Sequence, residues 1–130
     1  MVFGTSIHCM DGRIQEPLLN FIKNEFSITY VDTITEPGPC KILAQNSDQF
    51  LIESLKARLA VSLDQHGSKI IFVSGHHDCA GNPVAKDVQL RQIAESAATL
   101  RAMYPGVRVV ELYVDENFDV HLISSPDVES

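Results

Sequence analysis

Several features are scarce or missing in this 130-residue sequence. It has no tryptophan, and its three cysteines are too few for a disulfide framework, which a chain long enough to bury its own core does not need. No apolar run approaches the roughly 20 residues of a membrane span, and the first residues lack the basic and apolar segments of a secretory signal. We therefore expect a protein of the reducing cytoplasm.

Positive charge is also scarce. Ten lysines and arginines stand against 17 aspartates and glutamates, which gives a formal net charge of −7, and no basic run or stripe occurs along the chain. Nucleic acids and anionic membranes attract basic surfaces, so this balance predicts neither a nucleic-acid partner nor a membrane partner.

What the sequence does contain is a regular alternation of strand-like and helix-like segments. Short runs rich in β-branched and aromatic residues predict five strands, at residues 3–9, 27–34, 69–74, 107–114 and 118–123. Apolar residues at helical spacing predict three helices, at residues 16–23, 46–65 and 82–104, and two prolines predict a loop at residues 36–40.

This order predicts an α/β fold with a single domain over residues 1–130. Four strands are expected to be parallel and the last to pair as an antiparallel edge strand, with helices on both faces of the sheet. Residues 124–130 are polar and are expected to form a flexible tail.

Two short motifs follow the ends of predicted strands. Cys9 ends the first strand, and His76 and Cys79 lie in the turn after the third. Because the carboxyl ends of parallel strands meet at one edge of a sheet, these two thiols and one imidazole can reach the same metal ion. Such a ligand set is typical of zinc, and three protein ligands leave a fourth coordination position for another group.

Asp11 and Arg13 decide what occupies that fourth position. The Asp11 carboxylate either binds the metal itself, which closes the site, or pairs with Arg13 and leaves the position to water. Two thiolates also cancel the formal charge of Zn²⁺, so a bound water should be less acidic than at a zinc held by three neutral histidines. Any activity is therefore expected to rise on the alkaline side of neutrality.

The pattern Cys9-x-Asp11-x-Arg13, followed by Gly75-His76-x-x-Cys79, resembles the paired metal motifs of the β-class carbonic anhydrases. The resemblance covers roughly residues 3–123 and includes the segments 57–81 and 109–123. The sequence departs from the family at residues 36–40, which replace the usual loop after the second strand.

The resemblance implies a function for each motif residue. Cys9, His76 and Cys79 would be the zinc ligands, and Asp11 and Arg13 would be the catalytic dyad that governs access and orients zinc-bound hydroxide. The implied reaction is the reversible hydration of CO₂ to bicarbonate, and the implied assembly is a homodimer.

The sequence is also compatible with three other functions. The chain is alternatively a non-catalytic zinc-binding domain of the same fold, closed by Asp11, or a hydrolase that acts on a CO₂-like small molecule such as carbon disulfide. A thiol redox protein that uses Cys9 and Cys79 is a third reading, which no Cys-x-x-Cys motif supports.

The remaining cysteine and histidines are given smaller roles. Cys40 is expected to be a buried thiol in the loop after the second strand, and His77 to lie beside the ligands without binding the metal. Asp78 is expected to cap the turn or to orient a ligand. His8, His66 and His121 belong to no motif that the sequence reveals.

Overall fold

The computed structural model of the chain describes residues 2–128 and is built around one five-stranded sheet. The strands are β1 (Phe3–Cys9), β2 (Tyr30–Glu36), β3 (Ile70–His76), β4 (Arg108–Val114) and β5 (Val120–Ser124). Their order across the sheet is β2-β1-β3-β4-β5. β1 to β4 are parallel, and β5 pairs antiparallel with β4, as predicted.

In the described part of the chain, four α-helices pack against this sheet: α1 (Gln15–Phe26), α2 (Pro39–Gln45), α3 (Gln49–Ala60) and α4 (Lys86–Met103). Apolar residues of α2, α3 and α4 form one core cluster with the sheet, and those of α1 form a second cluster on the opposite face. The predicted α/β fold with helices on both faces is therefore confirmed.

The central strand β3 shows how the sheet contributes to both clusters. Ile71 and Val73 belong to the cluster beneath α2–α4, and Phe72, which lies between them, belongs to the cluster beneath α1. Successive side chains of a strand point to opposite faces, so an almost purely apolar strand is buried on both sides. No helix within residues 2–128 is long and apolar enough to cross a lipid bilayer.

Helix α2 is absent from the sequence-based prediction, which placed a loop at residues 36–40. Pro39 does not break the chain here but occupies the start of α2, where its missing N–H costs nothing. Cys40 consequently lies in the first turn of a helix and not in a loop, and it is 2% exposed. Its thiol donates a hydrogen bond to the carbonyl oxygen of Ser74, 3.0 Å away.

The predicted starts of β2 and α4 are also wrong. β2 begins at Tyr30 and not at residue 27, because Ser27 adopts a left-handed conformation (φ 55°) that ends α1. α4 begins at Lys86 and not at Asn82, whose side-chain amide donates to Gln92 in the body of the helix.

The predicted helix at residues 46–65 is interrupted near its end. Asp48 caps α3, since its carboxylate accepts from Leu51 N at 3.2 Å, but the α-helix stops at Ala60 and a π-helix continues over Val61–Gln65. In that π-helix the buried Ser62 hydroxyl donates to the Asp32 carboxylate at 2.7 Å.

The predicted tail at residues 124–130 is shorter in the structure. Ser124 is the last residue of β5, and the Ser125 carbonyl accepts a hydrogen bond from Arg108 at 3.2 Å. Glu129 and Ser130 lie outside the described residues.

Candidate metal centre

Neighbouring parallel strands bring the two sequence motifs to one edge of the sheet. Ile7 of β1 pairs with Val73 of β3, so Cys9, two residues further on, comes level with the end of β3. His76 is the last residue of β3 and not part of the following turn, and Cys79 follows three residues later. The topology therefore brings Cys9 next to two residues that lie 67 and 70 positions further along the sequence.

The three side chains form a compact group of ligand atoms. The two thiol sulfurs and one imidazole nitrogen all lie within 4.8 Å of one another, and Cys9 Sγ is 3.8 Å from Cys79 Sγ. Two sulfurs that each lie about 2.3 Å from a tetrahedral zinc are about 3.8 Å apart. The sulfur atoms thus already stand at the separation that a zinc ion requires.

His76 presents one ring nitrogen for coordination. Its Nδ1–H donates to the carbonyl oxygen of His77 at 2.8 Å, which leaves the lone pair on Nε2. His76 Nε2 is buried and has no hydrogen-bond partner among residues 2–128. Burial lowers the pKa of His76 and keeps the ring neutral. A neutral imidazole fixed through its other nitrogen is the usual form of a metal-binding histidine.

A cation between the Cys9 and Cys79 thiols would allow both of them to lose their protons. Burial, followed by the proximity of Cys9, raises the pKa of the Cys79 thiol. Two thiolates less than 4 Å apart repel each other in a site that is 4–5% exposed, so deprotonation of both requires a compensating positive charge. The donor set therefore fits a divalent, thiophilic ion such as Zn²⁺.

Beside this group, Arg13 holds Asp11. The guanidinium donates to both carboxylate oxygens, and Arg13 N donates to Asp11 Oδ1 at 2.9 Å. These hydrogen bonds from Arg13 lower the pKa of Asp11 to about 2. Among residues 2–128 the ligand group comprises Cys9, His76 and Cys79, and the Asp11 carboxylate faces Arg13 instead.

The loop between β3 and α4 also touches this pair. Asp78 adopts a left-handed conformation (φ 58°), and its carbonyl oxygen accepts from Arg13 Nη2 at 3.2 Å. The neighbouring His77 is exposed, and its backbone N–H donates to the carbonyl oxygen of Val114 at 2.9 Å. Arg13 therefore links the loops that carry Cys9 and Cys79.

A buried polar chain that the sequence analysis missed supports the Cys9–Asp11 backbone. The Gln15 amide donates to the carbonyl oxygens of Cys9 at 3.0 Å and Asp11 at 2.7 Å. Its Oε1 accepts from His8 Nε2, and His8 Nδ1 accepts from the Ser6 hydroxyl, both at 2.7 Å. Ser6 and His8 share one face of a buried strand, and that alternation of polar residues was the available signal.

A close contact between two loops places further groups next to the ligands. A Cβ on Gly81 would lie 2.6 Å from the backbone carbon of Pro37, so only glycine allows this approach. The cavity beside the ligands is lined in addition by Cys40, Ser74 and Gln89, and the buried Ser74 hydroxyl has no hydrogen-bond partner among residues 2–128. Burial raises the pKa of Cys40 to about 12, which keeps this thiol protonated.

Comparison with known proteins identifies the family of the chain. A family model described as "Putative carbonic anhydrase" matches residues 1–124, and the chain therefore belongs to this carbonic anhydrase-like family. The curated proteins contain no match. Among solved structures, the chain is similar to a tetrameric β-carbonic anhydrase from the filamentous ascomycete Sordaria macrospora, with a TM-score of 0.47 and 13% identity over 95% of this chain and 81% of that one.

Proposed function

We propose that the protein is a zinc-dependent lyase of the carbonic anhydrase type, which catalyses the reversible hydration of CO₂ to bicarbonate. The observation that carries the proposal is the convergence of Cys9, His76 and Cys79 beside an Asp11 carboxylate that Arg13 holds. Membership of the carbonic anhydrase-like family supports the choice of reaction.

In this proposal Cys9 and Cys79 bind through Sγ and His76 through Nε2. A zinc ion held there would supply a Lewis acid that makes water a nucleophile on the alkaline side of neutrality and polarises the substrate. The carbonyl oxygen of His77 fixes the imidazole ring, and Gln15 fixes the backbone on either side of the first ligand motif. The chain thus provides the ligands and a rigid support for them.

Asp11 acts as a hydrogen-bond acceptor in the proposed reaction. With a pKa of about 2 the carboxylate is ionised at neutral pH, so it accepts hydrogen bonds and donates none. Each carboxylate oxygen has two lone pairs, and Arg13 leaves part of this capacity free. A water that donates to Asp11 is held with its oxygen lone pair free for attack on CO₂, and Arg13 sets the orientation of the carboxylate. The proton released when bicarbonate forms passes to solvent or buffer, because a carboxylate with a pKa of about 2 does not retain it.

The position of Asp11 favours an open site over a closed zinc domain. A carboxylate that bound the metal would have to leave Arg13, with which it forms a two-pronged, charge-assisted pair at 2.7–3.2 Å. A closed zinc-binding domain requires the Asp11–Arg13 pair to break, whereas the proposed enzyme requires that pair to stay intact. The arrangement therefore supports the catalytic reading.

One preparation of the purified protein tests the proposal. We expect about one zinc per chain and stopped-flow CO₂ hydration that rises between pH 6.5 and pH 9. Zinc without hydration in the wild type, together with an exchangeable ligand gained in Asp11→Ala, would identify a closed zinc-binding domain instead. A protein that binds no zinc would refute both readings.

We also propose that the protein assembles as a homodimer and works in the cytoplasm. The edge strand β5 carries Leu122 and Ile123 at 51% and 43% exposure, and an apolar edge strand is suited to pairing with a second chain. All three cysteines are free thiols, which suits a reducing compartment. Sedimentation equilibrium tests the proposed homodimer. A measured mass equal to that of one chain at micromolar concentration would contradict it.

A further inference from the structure

The turn that carries Cys9 and Asp11 has little apolar packing to hold it. Met10 is 63% exposed, Gly12 and Arg13 are exposed as well, and a Cβ added at Gly12 would meet nothing within 4 Å. An exposed segment with few packed side chains shifts easily unless hydrogen bonds fix its backbone. The position of the first metal ligand, and of the carboxylate beside it, therefore depends on polar contacts.

One side chain reaches across this turn. Gln15 Nε2 donates to the carbonyl oxygen of Cys9 at 3.0 Å and to that of Asp11 at 2.7 Å. Both protons of the amide are thus used by carbonyl oxygens that lie two residues apart. Because Gln15 is the first residue of α1, this side chain ties the turn to the helix that follows it.

The amide of Gln15 has a single orientation that satisfies its neighbours. A flipped amide would place Oε1 against the two carbonyl oxygens, and acceptors that face one another without a proton between them repel. Oε1 must therefore point the other way, where it lies 2.7 Å from His8 Nε2. The imidazole of His8 has to supply the proton of that hydrogen bond.

The surroundings of His8 place its proton on the required nitrogen. The ring is fully buried, burial lowers its pKa, and a neutral imidazole carries one proton. His8 Nδ1 lies 2.7 Å from the Ser6 hydroxyl, which donates to it, so the single proton resides on Nε2. Among residues 2–128 the group of ligand atoms does not include His8, and its ring therefore acts on Gln15 and not on the metal.

We propose that His8 and Gln15 are positioning residues for the candidate metal centre. His8 orients the amide, and the amide fixes the backbone that carries Cys9 and Asp11. Arg13 holds the carboxylate group itself, whereas Gln15 holds the backbone from which that group extends. The proposal rests on the proposed function, since it names what keeps that site in its working geometry. Side chains that orient metal ligands typically change metal affinity or activity by about ten- to a hundredfold.

The Gln15→Glu variant tests this role with a side chain of the same shape. Its carboxylate can still accept from His8 but cannot donate to the two carbonyl oxygens of the turn. We expect zinc to pass to a chelator about tenfold faster or more. In assays with saturating zinc, kcat for CO₂ hydration should fall by about tenfold or more while KM changes little.

Gln49→Glu is the matched control for this variant. Gln49 is the first residue of α3, and its amide also donates to a backbone carbonyl oxygen, that of Asn46. It should release zinc at the wild-type rate. Two variants of His8 add a rescue test: His8→Phe removes the proton donor and should speed zinc release by about fivefold, whereas His8→Gln provides an amide N–H near Nε2 and should restore most of the loss.

Long-range ¹H–¹⁵N NMR of the purified wild-type protein tests the proposal without any substitution. The spectrum should place the His8 proton on Nε2, and a proton on Nδ1 would overturn the proposal, because the Gln15 amide would then lack its donor. Zinc release at the wild-type rate in Gln15→Glu, or equally fast release in Gln49→Glu, would also overturn it. A wild type that binds zinc but hydrates no CO₂ would refute the proposed reaction alone, since neither the tautomer nor the rate of zinc release depends on activity.

Discussion

Arg13 holds both carboxylate oxygens of Asp11, with Nη2 2.7 Å from Oδ2 and Nε 3.1 Å from Oδ1. The two residues are separated by a single glycine, so the pair forms within one tight turn between β1 and α1. The same guanidinium contacts the carbonyl oxygen of Asp78. The Asp11–Arg13 pair thus keeps a carboxylate next to, but outside, the group of Cys9, His76 and Cys79.

Replacement of Arg13 by methionine should release this carboxylate. In the zinc-free protein we expect the pKa of Asp11 to rise from about 2 towards its ordinary value of 3.8, because the side-chain hydrogen bond from Arg13 is the largest cause of its depression. The freed carboxylate can then reach the metal, so CO₂ hydration should fall by about a hundredfold while zinc stays bound. Carboxyl NMR and stopped-flow assays measure the two effects.

Arg91 is the control for this variant, because it lies on the exposed side of α4 and, among residues 2–128, forms an ion pair with Glu95 alone. Arg91→Met should retain the wild-type rate. An Arg13→Met protein with full activity would show that the pair has no part in catalysis.

The Cys79→Ser variant tests whether Cys79 is a metal ligand, and Cys40→Ser is its matched control. Both thiols line the same cavity, but only Cys79 belongs to the group of ligand atoms. We expect Cys79→Ser to retain on the order of a tenth or less of the wild-type metal after dialysis, since a hydroxyl is a poor zinc ligand. Cys40→Ser should keep about one zinc per chain by elemental analysis. Equal metal loss in both would argue against the assignment.

The strand ends and the metal motifs could be predicted because each depends on a local pattern. The apolar run before Ser74 identifies a buried strand, and parallel strands must end at one edge of the sheet. Cys9 and His76 were therefore expected at the same edge of the sheet, and the adjacency of β1 and β3, which the local patterns do not reveal, makes them neighbours. The structure brings them together with Cys79, as expected.

Other features depend on contacts that no local pattern reveals. Pro39 was interpreted as a helix breaker, although the same residue type starts helices, and the choice depends on the packing of Leu43 in the core. Asn82 has the side chain of a helix cap but bonds to Gln92 instead. The series of hydrogen bonds from Ser6 through His8 to Gln15 connects β1 to α1. It can therefore be recognised only when the positions of both elements are known.

Gly81→Ala should destabilise the fold. The added Cβ would lie 2.6 Å from the backbone carbon of Pro37, and a backbone atom cannot move aside cheaply. We expect the free energy of unfolding to fall by about 1–3 kcal/mol in urea titrations. Gly106→Ala, where an added Cβ meets nothing within 4 Å, should change it by less than about 0.5 kcal/mol. Similar losses in both variants would mean that the loop contact is unimportant.

The turn between β4 and β5 should make stability depend on pH. A hydrogen bond from His121 is the largest cause that lowers the pKa of Asp115. A depressed carboxyl pKa stabilises the fold above the ordinary value of 3.8, and this contribution disappears as the pH falls through the lowered value. Wild type should therefore be more stable than His121→Ala at pH 5 but not at pH 2.

Urea unfolding at the two pH values measures this difference. His121→Gln, whose amide can also donate to Asp115, should restore part of the stability at pH 5. A wild-type advantage that is the same at both pH values would exclude Asp115 as its source.

The most direct test of the central claim is zinc K-edge X-ray absorption on the purified protein. If Cys9, His76 and Cys79 bind the metal, the spectrum should show two sulfur atoms at about 2.3 Å and nitrogen or oxygen at about 2.0 Å. A first coordination shell without sulfur, or no bound zinc at all, would contradict the account.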